Sequence, residues 1–206
     1  MTLSLWLSLL GASTLISFTP GAGAINTMTN SLNSGFRRSM WGILGQQAAL
    51  LVHVVIVAAG VGLLVSRSPI IFTGIRYAGA AYLVYLGVRL ILAKPQSAEE
   101  ISMGGQEPAL KMFTRGLWVN LLNPKAVVFF LAFTPQFIRL DQPALPQYLV
   151  FIGTIVVVDI LVMWFFFAAT AKSFSRFTAT ERGQRILNLS FGTLFIFVAA
   201  LLVFIH

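Results

Sequence analysis

The chain has 206 residues, 57% of them apolar and only 10% charged, with a net charge of +8 and no cysteine. A mean hydropathy of +0.86 is far above that of an ordinary soluble domain, so the sequence describes a membrane protein. The missing cysteines exclude disulfides, thiol redox chemistry and Cys-ligated metals, and two histidines are too few for a familiar metal site; no cofactor and no metal are expected.

A helix needs roughly 20 apolar residues to cross a hydrocarbon core of ~30 Å, and six runs of that kind are predicted, at about 3–27, 41–65, 70–93, 113–138, 147–170 and 186–205. A transmembrane barrel would need short segments of alternating apolar and polar side chains, and these runs do not alternate. The predicted class is therefore an all-α integral membrane protein with six transmembrane helices. The first run ends in "SFTPGAGA" and resembles a secretion signal, but the first basic residue is Arg37. A signal peptide needs a basic leading region, so the run is read as a true span.

The positive charge has an orienting role rather than a nucleic-acid partner. Loops one, three and five carry Arg37, Arg38, Lys94, Lys111, Arg115, Lys172, Arg176, Arg182 and Arg185, against Arg67 and Arg139 in loops two and four. By the positive-inside rule this bias predicts odd loops in the cytoplasm and both termini outside. Arg76, Arg89 and Lys125 fall within spans; the two arginines lie near span ends, where a long side chain can reach the interface, and Lys125 does not.

The longest polar stretch, "KPQSAEEISMGGQEPALK", is predicted to be a cytoplasmic linker over 94–112. It divides the chain into three-span halves, 1–93 and 113–206. An odd number of spans per half makes the second half enter from the opposite side, which predicts a 3+3 inverted repeat. The comparison of halves places "FTPGAGAIN" in span one opposite "LNPKAVVFF" in span four. Thr and Asn are good helix N-caps and proline favours the first helical position. Thr19, Pro20 and Gly21, and Asn123 and Pro124, are therefore expected to mark helices that break and restart inside the membrane; a proline kink in a continuous helix is the alternative.

A restarted helix offers free N–H groups and the positive end of its dipole, and Lys125 adds a full charge. The expectation is a carboxylate site at membrane depth built on Lys125, with Asn26, Gln46, Asn120 and Asn123 supplying neutral hydrogen bonds. The alternative is that Lys125 only neutralises an acidic residue. Of the six acidic residues only Asp159 lies inside a span; it follows Pro124 by 35 residues, and His53 follows Pro20 by 33. An ionisable group at that depth is a functional candidate by default, so Asp159 and His53 are the expected proton carriers. Gly42, Gln46, Ala49, His53 and Gly60 also share one helix face, which a packing role would explain equally well.

These residues carry a family resemblance. "SFTPGAGAINTMTNSLNSGFR", "GILGQQAALLVHVVIV", "YAGAAYLVYLGVR" and "NLLNPKAVVFFLAFTPQF" together resemble the lysine exporter and homoserine/threonine resistance family of bacterial amino-acid exporters, and within it the homoserine and homoserine lactone branch. Pro20-Gly21-Ala22 stands where the family commonly has Pro-Gly-Pro, a departure similar to that branch. The resemblance implies a bacterial inner-membrane protein that exports homoserine, homoserine lactone or threonine, with the proton as coupling ion. The expected partners are thus the amino-acid substrate, the proton and the lipid bilayer, with a homo-oligomer left open. A passive amino-acid pore, or an exporter of another small metabolite without proton coupling, is the competing function. A hydrolase using His53 and Asp159 would need an activated nucleophile, and no G-x-S-x-G stretch is present.

Overall fold

The computed structural model describes residues 1–65, 69–93, 107–139, 141–178 and 180–204. Its described regular structure is helical throughout: α1 (Leu3–Phe18), α2 (Ala22–Ser34), α3 (Met40–Val65), α4 (Pro69–Leu92), α5 (Ala109–Leu121), α6 (Pro124–Phe137), α7 (Ala144–Leu161), a π-helical segment (Val162–Ala168) that runs straight into α8 (Ala169–Thr178), and α9 (Glu181–Phe204). Among the described residues the six predicted apolar runs are mainly helical, with breaks at 19–21 in the first and 122–123 in the fourth. Three stretches, Met40–Gly60, Ala144–Phe174 and Glu181–Ala200, are each long and apolar enough to cross a membrane. Two further spans are possible if the pairs α1–α2 and α5–α6, each bent by 59° at its break, count as one apiece. Tyr77–Leu92 is a shorter apolar helix.

Several boundaries differ from the sequence expectation. The first run continues well past residue 27, because α2 remains helical to Ser34 before Gly35 turns the chain at φ 89°. That left-handed geometry suits glycine. Helix α5 starts at Ala109, earlier than the predicted 113, so the end of the predicted linker is helical; its residues 94–106, with Lys94, lie outside the described residues, as do Arg67 and His206.

The helices pair through small residues. Helix α3 lies along α5, and α4 along α9. A side chain on Gly116 of α5 would run into the Gly42 carbonyl of α3, and one on Gly45 into the Phe113 carbonyl. The two backbones are in contact there, which only small residues permit. Around α6 the rings of Phe129, Phe133 and Phe137 stack in series, Phe151 packs tilted against Phe137, and these rings form the main apolar core with α3, α4, α7 and α9. Helix α2 is different. Its Asn26, Thr27, Asn30 and Ser34 are all buried, so a polar helix is enclosed between α3, α5 and the π-helical segment.

Candidate translocation site

Both predicted breaks exist, and they are built differently. At the second, Asn123 caps α6: its side-chain oxygen accepts from the Lys125 amide at 3.1 Å, and Pro124 takes the first helical position. This is the predicted arrangement. At the first, the expectation that Thr19 opens the new helix is corrected. Thr19 closes α1, its hydroxyl donating to the Leu15 carbonyl at 2.8 Å, while Gly21 precedes α2 without any side-chain cap. A threonine hydroxyl can bond backward into the preceding turn as readily as forward, and here the backward bond wins. Pro20 lies in the linking segment between them.

The two breaks meet on one cavity of about 50 Å³. Its wall includes Ile16, Ser17 and Gly23 from the first break, Asn120, Asn123 and Lys125 from the second, Gln46 from α3 and Asp159 from α7, closed by Phe129, Phe130 and Met163. Four of the predicted substrate residues, Lys125, Asn123, Asn120 and Gln46, are thus brought together with Asp159. Gln46 is fully enclosed and donates to the Gly23 carbonyl at 3.1 Å and to Thr27 Oγ1 at 3.0 Å. Asn120 donates to the Gln46 carbonyl at 3.0 Å.

Lys125 is directed at backbone carbonyls. Its ammonium donates to the carbonyl of Thr19, the C-cap of α1, at 2.7 Å and to that of Ile16, in the last turn of α1, at 3.2 Å. Its stem passes close to Gly21, where a Cβ would lie in ordinary contact 3.5 Å from Lys125 Nζ. Asp159 reaches the same turn of α1 from the other side. Its Oδ1 accepts from Ser17 Oγ at 2.9 Å and its Oδ2 from Gln47 Nε2 at 2.7 Å. Among the described residues the ion pairs within 4.0 Å join Glu107 to Lys111 and Arg115, and Arg139 to Asp141; Lys125 and Asp159 form none. Both charges are instead held by the C-terminal turn of α1.

Two predicted residues stand elsewhere. His53 is buried outside the cavity wall, 3.3 Å from the Asn120 carbonyl and stacked on Phe130 at 5.6 Å. Asn26 faces a second polar cluster, where its Oδ1 accepts from Arg115 Nε at 3.1 Å and Asn30 Oδ1 accepts from Arg115 Nη2. Arg115 also pairs with Glu107 at 2.6 Å, and Arg38 donates to the Glu107 carbonyl at 2.8 Å. Burial raises the Glu107 pKa, but hydrogen bonds from Lys111 and Arg115 outweigh it and hold the carboxyl below its ordinary value. At this basic end an open recess of about 470 Å³ is lined by Ser31, Leu32, Phe36, Lys172 and neighbouring alanines.

Sequence reasoning missed Ser17, Gln47, Thr27, Asn30 and Arg115. Asn26, Asn30 and Ser34 lie at helical spacing, a signal that was present in the sequence. Nothing in the spacing of Ser17 or Gln47 distinguishes them from neighbouring polar residues.

The profile of the LysE type translocators matches residues 14–205. The chain belongs to that family. It is a membrane transporter and not an enzyme. It is 42% identical over 202 residues to the homoserine/homoserine lactone efflux protein of Salmonella typhi, covering 98% of this chain and 97% of that one. It is 41% identical, with the same coverage, to the protein of that name from Salmonella typhimurium. A membrane protein of Vibrio cholerae is 35% identical over 200 residues, 95% of this chain and 94% of that one. No solved structure matches.

Proposed function

We propose that this transporter exports homoserine, homoserine lactone and threonine across the bacterial inner membrane in exchange for protons, with both termini on the outer side. The observation that carries this reading is the convergence of two broken helices, Lys125 and Asp159 on one cavity. Irregular backbone is tolerated at membrane depth where it is enclosed by protein or lines a wet cavity, and broken helices flanking a site are a recurring transporter device. The substrates are those that the names of the Salmonella relatives print, with threonine added as a homoserine isomer. Asp159 is the coupling group in this reading, and His53, behind Asn120, is a secondary one.

A 3+3 inverted repeat accounts for several independent features. Both breaks bend by 59°. Gly87 follows Pro20 by 67 residues and Gly192 follows Pro124 by 68, and the two oppose each other: a Cβ on Gly87 would lie 2.6 Å from the Gly192 carbonyl, and one on Gly192 2.7 Å from the Gly87 carbonyl. Reciprocal contact of equivalent residues is what a two-fold relation produces. The basic residues around Arg38, Lys111, Arg115 and Lys172 favour this end as cytoplasmic, with the open recess and the polar face of α2 as the entry. Asn26 Nδ2 and Asn30 Nδ2 are buried without a protein acceptor. Leaving such groups unpaired costs about 1–3 kcal/mol each, which is consistent with a face that water and polar solutes pass. A water needs about 10–15 Å³ of cavity, so the central cavity holds only a few, and loading an amino acid requires the half-helices to move at their breaks.

Labelled homoserine flux in proteoliposomes, with and without an imposed pH gradient, tests this reading. Uphill accumulation should require the gradient, and Asp159→Asn should abolish it while leaving the protein folded. Downhill flux indifferent to gradient and substitution would identify a passive pore; absence of flux for homoserine, its lactone and threonine would reject the substrate class.

A further inference from the structure

We propose that Lys125 is a tethered stand-in for the substrate's ammonium group: its Nζ occupies an ammonium subsite formed by the Ile16 and Thr19 carbonyls beside Asp159, and the arriving substrate displaces it. The proposal rests on the export reading above and specifies how the same cavity recognises its guest.

The argument begins with acceptors. The C-terminal end of α1 carries the negative end of its dipole, and its Ile16 carbonyl shares the Thr19 amide with Leu15 and keeps acceptor capacity, so this end favours a cation. Lys125 Nζ is bound there by Thr19 O at 2.7 Å and Ile16 O at 3.2 Å. Asp159 of α7 accepts from Ser17 of that turn at 2.9 Å and lines the same cavity as Ile16 and Lys125. Two carbonyls hold the Lys125 ammonium, and a carboxylate more than 4.0 Å from it lines the same cavity; that acceptor set suits an R–NH3⁺ group with its three donors. A carboxylate in that position would face like charge and acceptors only.

Ligand chemistry agrees. Homoserine and homoserine lactone share an amino group, a chain of the same length and an oxygen at its end, but the lactone has no free carboxylate. A site that accepts both is organised around the amine, and Lys125 already holds the place of one. When the substrate ammonium takes over the α1 carbonyls, the Lys125 side chain is released toward the N-terminus of α6, where it can meet a carboxylate if the substrate carries one. Charge in the cavity is then balanced with homoserine, and one positive charge is in excess with the lactone.

The test is equilibrium binding of labelled homoserine to the purified full-length protein in nanodiscs, for the native chain, Lys125→Met and Lys125→Gln. Competition is measured with homoserine lactone, with the stable amino diol obtained by reducing homoserine's carboxylate, and with the hydroxy acid obtained by removing its amine. Loss of the internal competitor should tighten the lactone and the amino diol by about tenfold in both variants, the factor carried by one displaced charge-assisted hydrogen bond. The deaminated hydroxy acid should compete in none of the three proteins. The Gln variant, which keeps a polar end, covers the case in which Lys125→Met does not fold. Weaker binding of homoserine with unchanged binding of the amino diol would show Lys125 to be a carboxylate ligand and overturn the inference, while leaving the export reading intact. Native protein that binds none of these ligands would overturn that reading itself.

Discussion

At the scale of single residues, Asn123 and Thr19 show how similar signals diverge. Each precedes a proline at a matched place in its half, yet Asn123 caps the following helix and Thr19 bonds back to Leu15. If capping is the structural role of Asn123, Asn123→Ala should lower unfolding stability in detergent by about 1 kcal/mol, and Asn123→Ser should retain most of it, since serine caps nearly as well. A larger loss in the serine variant than in the alanine variant would contradict that role. The type of residue at the breaks was legible in the sequence because proline restricts the backbone locally. The direction of a hydroxyl was not, since both options are local and close in energy. The destination of Lys125 was even less accessible. A four-carbon stem reaches whatever the tertiary structure brings near it, and that proved to be the end of α1 rather than an acid.

At the scale of elements, helix existence was legible throughout because continuous apolar runs leave no alternative in a bilayer. The enclosed polar face of α2 was not fully legible. Only Asn26 stood out, although Asn30 and Ser34 continue its face, and Asn26 itself turned toward Arg115 instead of the central cavity. The closest pairing, α3 on α5, makes a sharp expectation. Gly116→Leu forces apart the Gly116 and Gly42 backbones, and overpacking of this kind costs about 1–3 kcal/mol or more. The variant should lose a monodisperse elution profile or fall markedly in thermal midpoint. Gly153→Ala is the matched control, because nothing lies within 4 Å of its Cβ. It should be neutral or stabilising by up to about 1 kcal/mol through helix propensity. Equal behaviour of the two would remove the helix contact as the explanation.

At the scale of the whole molecule, Glu107, near the end of the predicted linker, ties the entry to α5 to the first half through Arg38, Ser34 and, by way of Arg115, Asn26 and Asn30. Its carboxyl has a depressed pKa in the folded protein. Its contribution to stability is therefore complete above the unfolded-state value and disappears as pH falls through the lower folded value. Hydrogen exchange at the first turn of α5 should stay protected at pH values where an ordinary glutamate has already been protonated, and rise below them. Glu107→Gln should show raised exchange at neutral pH. Protection that fades within the ordinary glutamate range would mean that the two basic partners do not hold the carboxyl.

The meeting of both breaks on one cavity has an electrical consequence. The C-termini of α1 and α5 and the N-termini of α2 and α6 all lie at this wall, two ends of each sign, each equivalent to roughly half an elementary charge. Their sum is zero, and so is that of Lys125 and Asp159. A neutral array of alternating charge has a field that decays far faster with distance than that of a single ion. The centre of the protein therefore exerts little pull on salt ions in either compartment, yet presents strong, oppositely signed contacts a few ångströms apart to a solute already inside. Such a centre acts on a solute at contact, through the charges that solute brings within a few ångströms of these helix ends.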